Sequence, residues 1–130
     1  MVSRARVKEA AIATLKAERV REAMLSITFV GRAAMSKLNR RYLGHRGPTD
    51  VISFGLARAG KRGAVIGDIY ICPEVARDNA KRQAVPSGEE VLRLVVHGTL
   101  HVLGHDHPTG ASRTSSPMWR RQERILARVL

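Results

Sequence analysis

The sequence predicts an α+β fold, a small mixed sheet of three to four strands covered by about five helices. Three observations lead there. Short runs with the alternation or apolar density of strands occur at Leu25 to Val30, Thr49 to Leu56 and Ala64 to Cys72. Longer runs, with apolar residues at helical spacing, precede, separate and follow them. No repeat and no dividing linker interrupts the 130 residues, so one domain spanning 1–130 is expected.

In order, Ser3 to Val20 reads as an amphipathic helix, with Val7, Ala11 and Leu15 on one face and Arg6, Lys8, Lys16 and Arg19 elsewhere. Leu25 to Val30 alternates apolar with small polar side chains, the period of a half-buried strand, and Gly31 ends it. A second helix, Ala33 to Tyr42, turns Met35, Leu38 and Tyr42 inward and Lys37, Arg40 and Arg41 outward. Gly44 to Gly47 is a turn, after which Pro48 forces an extended approach to the Thr49 to Leu56 strand. Glycine and basic residues make Arg58 to Gly63 a mobile loop, suited to contacting a phosphate backbone or to being a plain surface hairpin. Ala64 to Cys72 is apolar enough for a central strand, and Asp68 within it either hydrogen-bonds locally or points towards a functional site.

Pro73 and Glu74 suit the first turn of a helix running to Ala84. Ser87 and Glu90 form a capping-box pattern at the start of the next helix, Glu89 to Leu103. Pro108 to Ser116 is a polar loop. Pro117 to Leu130 is a closing helix with Met118, Ile125, Leu126 and Val129 on its core face.

Four of the five histidines fall between His97 and His107. His97 and His101 are four apart, so their imidazoles project from one helix face, as a chelating pair requires. Gly104 can end the helix in a left-handed turn, which would carry His105, Asp106 or His107 back towards the pair; the spacing selects His107. The pattern His-x-x-x-His-x-x-Gly-x-x-His is the ligand spacing of one group of zinc proteases, and three nitrogen donors leave a position for water or substrate. One histidine on an apolar helix is usually a core or capping residue. Three at this spacing around a glycine point to one bound zinc ion at the end of the helix. Those proteases carry a general-base glutamate directly after the first histidine, where this chain has Gly98. His105 reads as an exposed turn residue or as a support behind the metal ligands, and Asp106 either stabilises the turn or hydrogen-bonds a ligand histidine from behind.

Charge is the second signal. Twenty-three Lys and Arg against eleven Asp and Glu give a net charge of +12, which implies a polyanionic partner, most commonly nucleic acid. The five large aromatics, Phe29, Tyr42, Phe54, Tyr70 and Trp119, are too few and scattered for a base-stacking sheet, so binding should run through phosphates and be salt-dependent. No apolar run approaches the ~20 residues of a membrane span, and Met1 to Lys16 lacks the apolar core of a signal peptide. Cys72 alone cannot form an internal disulfide, which suits a reducing cytoplasm, and it reads as a core strand residue. Neither a membrane nor a small organic cofactor is expected.

The string His97-Gly98-x-Leu100-His101-x-Leu103-Gly104-x-Asp106-His107 resembles the signature of the YbeY family, bacterial metal-dependent endoribonucleases associated with ribosomal RNA maturation. Leu38-Asn39 with Tyr42, the run Pro48-Thr49-Asp50-Val51-Ile52-Ser53-Phe54, Gly67-Asp68-Ile69, and Met118, Glu123 and Leu126 match in order, covering most of the chain from Ile27 onward. The resemblance tilts Asp68 towards a structural or supporting role behind the metal ligands. Departures are visible too. Leu43 stands where the family usually has an arginine thought to contact the RNA phosphate, leaving Arg40, Arg41 and Arg46 as candidates for that contact. His105 replaces a tyrosine, Gly55 a proline, and the chain opens on a helix where the family usually opens on a strand.

Site and charge point to a zinc-dependent endoribonuclease for single-stranded RNA, with His97, His101 and His107 acting through one zinc ion and its water. The resemblance implies that its partner is ribosomal RNA of the small subunit, in 16S rRNA 3′-end maturation and ribosome quality control. Two other readings stay open: a non-catalytic ribosome-assembly factor with a structural metal and, weakened by Gly98, a zinc metallopeptidase.

Overall fold

The computed structural model describes residues 2–56, 58, 60, 62–107 and 110–130. Five α-helices and three strands follow one another as α1 (Arg4–Ala17), β1 (Ala23–Phe29), α2 (Arg32–Leu38), β2 (Val51–Gly55), β3 (Val65–Ile71), α3 (Pro73–Gln83), α4 (Ser87–Val102) and α5 (Pro117–Val129). The strands form one mixed sheet in the order β1-β3-β2. β1 runs parallel to β3, with Ala23 opposite Val65 and Phe29 opposite Ile71; β2 runs antiparallel, with Val51 opposite Ile71 and Gly55 opposite Gly67. Among the described residues no helix is long and apolar enough to cross a membrane.

α4 is the hub of the fold. Val91, Leu92, Leu94, Val95, Val96 and Leu100 are all buried, and a helix apolar on several sides must be covered on several sides. α1, α3 and α5 pack around it, and its remaining face rests on β2 and β3. That contact is close because glycines meet across it. A Cβ at Gly98 would lie 2.9 Å from Ile69 Cγ2, and one at Gly67 would lie 2.6 Å from Val102 Cγ1. At Gly55 an added Cβ would lie 2.8 Å from the Val102 carbonyl oxygen, so the strand end leaves no space for the ring expected from the resemblance.

β3 exposes its two faces differently. Val65, Gly67, Ile69 and Ile71 are buried towards α4, whereas Ile66 and Asp68 are exposed on the other side. That outer face is covered at one end by a second cluster of Met35, Ile52 and Cys72, with Tyr42, Phe54 and Tyr70 in edge-to-face contact at 5.2 and 6.2 Å.

Local structure departs from the sequence expectations in three places. The helix expected over Ala33 to Tyr42 ends at Leu38, and Asn39–Leu43 widens into a π-turn. The buried Asn39 amide donates to the Gly47 carbonyl at 2.9 Å, tying that turn to the loop after it. The capping box at Ser87 does not form: Pro86 occupies the N-cap with extended backbone, so Ser87 is already helical and Glu90 turns inward to Arg93. The polar loop of 108–116 contains a 3₁₀ turn at Gly110–Ser115, and Ser116 caps α5 by accepting from the Trp119 N–H at 3.2 Å. Pro108 and Thr109, and Ala59 and Lys61 of the loop expected at 58–63, lie outside the described residues, as do Met1 and Ala57.

Candidate metal centre

The last two turns of α4 carry His97 and His101. Behind them Gly104 adopts φ +100°, and the N–H groups of Leu103, Gly104 and His105 donate back to the carbonyls of Thr99, His101 and Leu100. The chain therefore folds back on the helix end and delivers His107. One ring nitrogen from each of His97, His101 and His107 lies within 4.8 Å of the others, and the ring centroids stand 4.6, 5.1 and 5.0 Å apart. Three imidazoles converging without a carboxylate among them fit a single borderline-soft divalent ion.

The state of His97 suits that role. Burial is the main reason its pKa falls to about 3, opposed by its bond to Gln122 and reinforced by the charges of His101, Arg113 and His107. A ligand imidazole must be neutral, and this one stays neutral. Burial also lowers His101, assisted by His107.

Gln122 decides which nitrogen of His97 is free. The Gln122 Nε2 donates to Glu123 Oε2 at 3.0 Å, so its Oε1 faces His97 Nδ1 at 2.6 Å. Nδ1 then carries the proton and Nε2 offers its lone pair. Glu123 is itself held by Arg93 through two bonds of 2.9 and 3.1 Å, and Arg93 also binds Glu90 and Glu89 on its own helix. The three carboxylates hold the Arg93 pKa above its ordinary value against its burial, and burial raises Glu90. α5 is thereby locked to α4 one turn from His97. Gln122→Leu is expected to weaken metal binding ~10- to 100-fold with little change in fold, measured by competition against a chelator of known affinity. Unchanged affinity would remove Gln122 from the support of the centre.

The remaining candidates lie elsewhere. The His105 Nε2 meets Glu18 at the end of α1, which Arg121 also binds. The Asp106 carboxylate accepts from the His107 backbone N–H at 2.9 Å, a bond within the turn. Asp68 does not face the histidines: it accepts from Ser26 Oγ at 2.7 Å on the sheet face away from α4, because alternate residues of a strand point to opposite sides. Arg40 and Arg46 line a shallow pocket of about 270 Å³ with Ser36, Lys37 and Gly47. The Arg41 guanidinium lies 5.4 Å from the Tyr42 ring centre, and Leu43 is exposed.

A cleft of about 260 Å³ opens beside His97, lined among others by Asp50, Asn79, Arg82, Arg93, Arg113 and Trp119. Sequence reasoning passed over Gln122 and Arg113. The signal for Gln122 was available: it interrupts the apolar face that Met118, Ile125, Leu126 and Val129 form on α5, and it is buried there.

Comparison with known proteins agrees with this geometry. The sequence model of the family described as Endoribonuclease YbeY matches residues 2–130. A protein of Beutenbergia cavernae named Endoribonuclease YbeY is 45% identical over 93 residues, covering 66% of this chain and 62% of that protein. One of the same name from Kineococcus radiotolerans is 41% identical over 92 residues, covering 65% and 53%. The chain thus spans less than two thirds of the length of these two relatives. A Thermotoga maritima protein solved in solution superposes with a TM-score of 0.62 over 99% of this chain and 85% of that one; at 24% identity the likeness concerns the fold. With a family match running over nearly its whole length, the chain belongs to the YbeY family.

Proposed function

We propose that the chain is a zinc-dependent endoribonuclease acting on single-stranded RNA, folded as one domain over 1–130. The observation that carries the reading is the cluster of His97, His101 and His107 at the edge of an arginine-lined cleft. The names of its relatives and the net charge of +12 support RNA as substrate. Zinc is favoured by three imidazole nitrogen donors, which suit a tetrahedral ion with one position open. Bound there, zinc supplies Lewis acidity and lowers the pKa of its water towards ~7.

The chain's own residues supply the rest. His97, His101 and His107 would hold the ion, and Gln122, bonded to the His97 Nδ1, leaves the Nε2 available to it. Arginines of the cleft and of the Arg40, Arg41 and Arg46 surface attract the strand through its phosphates. The resemblance favours ribosomal RNA of the small subunit as target, near the 3′ end of 16S rRNA, in maturation and quality control within the cytoplasm. The free, buried Cys72 is compatible with that compartment.

The test is an RNA carrying the small-subunit 3′ region, incubated at fixed salt with zinc-loaded and with chelated protein. Cleavage by the loaded protein alone is expected. Tight binding with no cleavage in either state would favour the assembly-factor reading.

A further inference from the structure

We propose that Arg113 is the phosphate-binding cation of this site, contacting a non-bridging oxygen of the RNA strand beside the three histidines. The inference rests on the endoribonuclease reading and adds to it a residue outside every motif by which the site was found.

Arg113 sits on the 3₁₀ turn between His107 and α5. Together with His97, His107, Trp119 and Gln122 it lines a small recess, and with His97 it also lines the larger cleft beside it. Its backbone is fixed where it stands, since its carbonyl accepts from both the Ser116 Oγ at 2.7 Å and the Ser116 N–H at 3.2 Å. Its guanidinium lies 6.0 Å from the Trp119 ring centre, a planar support for a planar cation.

Three arginines line the cleft, and they differ in what holds them. Arg93 is saturated by Glu89, Glu90 and Glu123, so its charge is already used inside the protein. Arg82 is bonded to the Asn79 side chain. Arg113 has no carboxylate partner among the described residues, and its Nε is buried with no hydrogen-bond acceptor. A buried guanidinium N–H without a partner is rare enough to require a cause, and on a side chain that lines the cleft beside His97 an anionic substrate supplies one. The guanidinium fork suits phosphate oxygens, with which it forms paired charge-assisted bonds.

The experiment compares zinc-loaded wild type, Arg113→Gln and Arg113→Lys on the RNA described above, measuring kcat/KM over a range of salt, zinc stoichiometry and Tm. Arg113→Gln is expected to lose ~10²- to 10³-fold in kcat/KM while binding one zinc as wild type does, with the salt slope falling by about 1. Arg113→Lys is expected to keep the slope and recover only part of the rate, because it retains charge and loses the fork. Loaded wild type that cuts nothing overturns the endoribonuclease reading itself. Wild type that cuts, with Arg113→Gln within about twofold of it, overturns the assignment of Arg113 alone. Loss of zinc together with activity also overturns it, by making Arg113 a support of the histidines. If Arg113→Gln does not fold, Arg113→Lys decides: a folded, zinc-bound variant at the wild-type rate refutes the proposal.

Discussion

His101→Ala is expected to abolish metal retention and RNA cleavage together while leaving the metal-free fold intact. The ring of His101 stands 4.6 Å from that of His97 and 5.0 Å from that of His107, so its removal leaves two donors for an ion that needs three from the protein. Binding of a ligand to the native state alone stabilises it by RT ln(1 + [L]/Kd), ~4 kcal/mol at a thousandfold excess over Kd. Wild type should therefore gain Tm on loading with zinc, and the variant should not. A bound ion contributes several kcal/mol to the transition state, so cleavage should fall by ~10³-fold or more. The metal-free fold survives because His101 lies in the last turn of α4 and is only half-buried, so alanine opens no core cavity. Stoichiometric zinc in the variant, or cleavage at the wild-type rate, would sink the three-histidine centre.

Gly98→Glu is expected to prevent folding, and Gly98→Ala to cost at most ~2 kcal/mol of stability. The reason lies in the seam between α4 and the sheet. A Cβ at residue 98 meets Ile69 Cγ2 at 2.9 Å, and Ile69 is fully buried in the central strand with a branched, stiff side chain. Alanine would gain ~1 kcal/mol in helix propensity and lose ~1–3 kcal/mol to overpacking, a net loss of ~0–2 kcal/mol of stability, read from thermal or denaturant unfolding. Glutamate adds a carboxylate buried without a cation, at a further cost of several kcal/mol. The sum is comparable with the whole ~5–15 kcal/mol of a typical domain. Soluble Gly98→Glu protein with a wild-type Tm would refute this packing. The same geometry bears on peptidase chemistry. Gly98 carries no carboxylate, and a side chain there would have to displace Ile69 before it could act.

The contrast between His101 and Gln122 shows what a reader of the chain alone could find. His97, His101, Gly104 and His107 obey a spacing that helix geometry converts directly into a cluster, because the whole device is closed within eleven residues. The three strands and five helices were legible for the same reason, their periods being local. The ends were less so: Pro86 displaced the capping box at Ser87, and Asn39 stopped a helix by bonding to Gly47 in a later loop.

By itself, then, the sequence determined the α+β architecture, the basic surface and the three histidines, since each depends on residue type and short-range spacing. Only the tertiary structure decided that Asp68 turns to Ser26 on the far sheet face, that Gln122 of α5 bonds His97, and that Arg113 borders the histidine cluster while Arg93 is neutralised by carboxylates. Those roles follow from which face of one element packs against which residue of another. His97 and Gln122 are 25 residues apart and Ser26 and Asp68 are 42 apart, and pairings at that range belong to the packed core rather than to any local period.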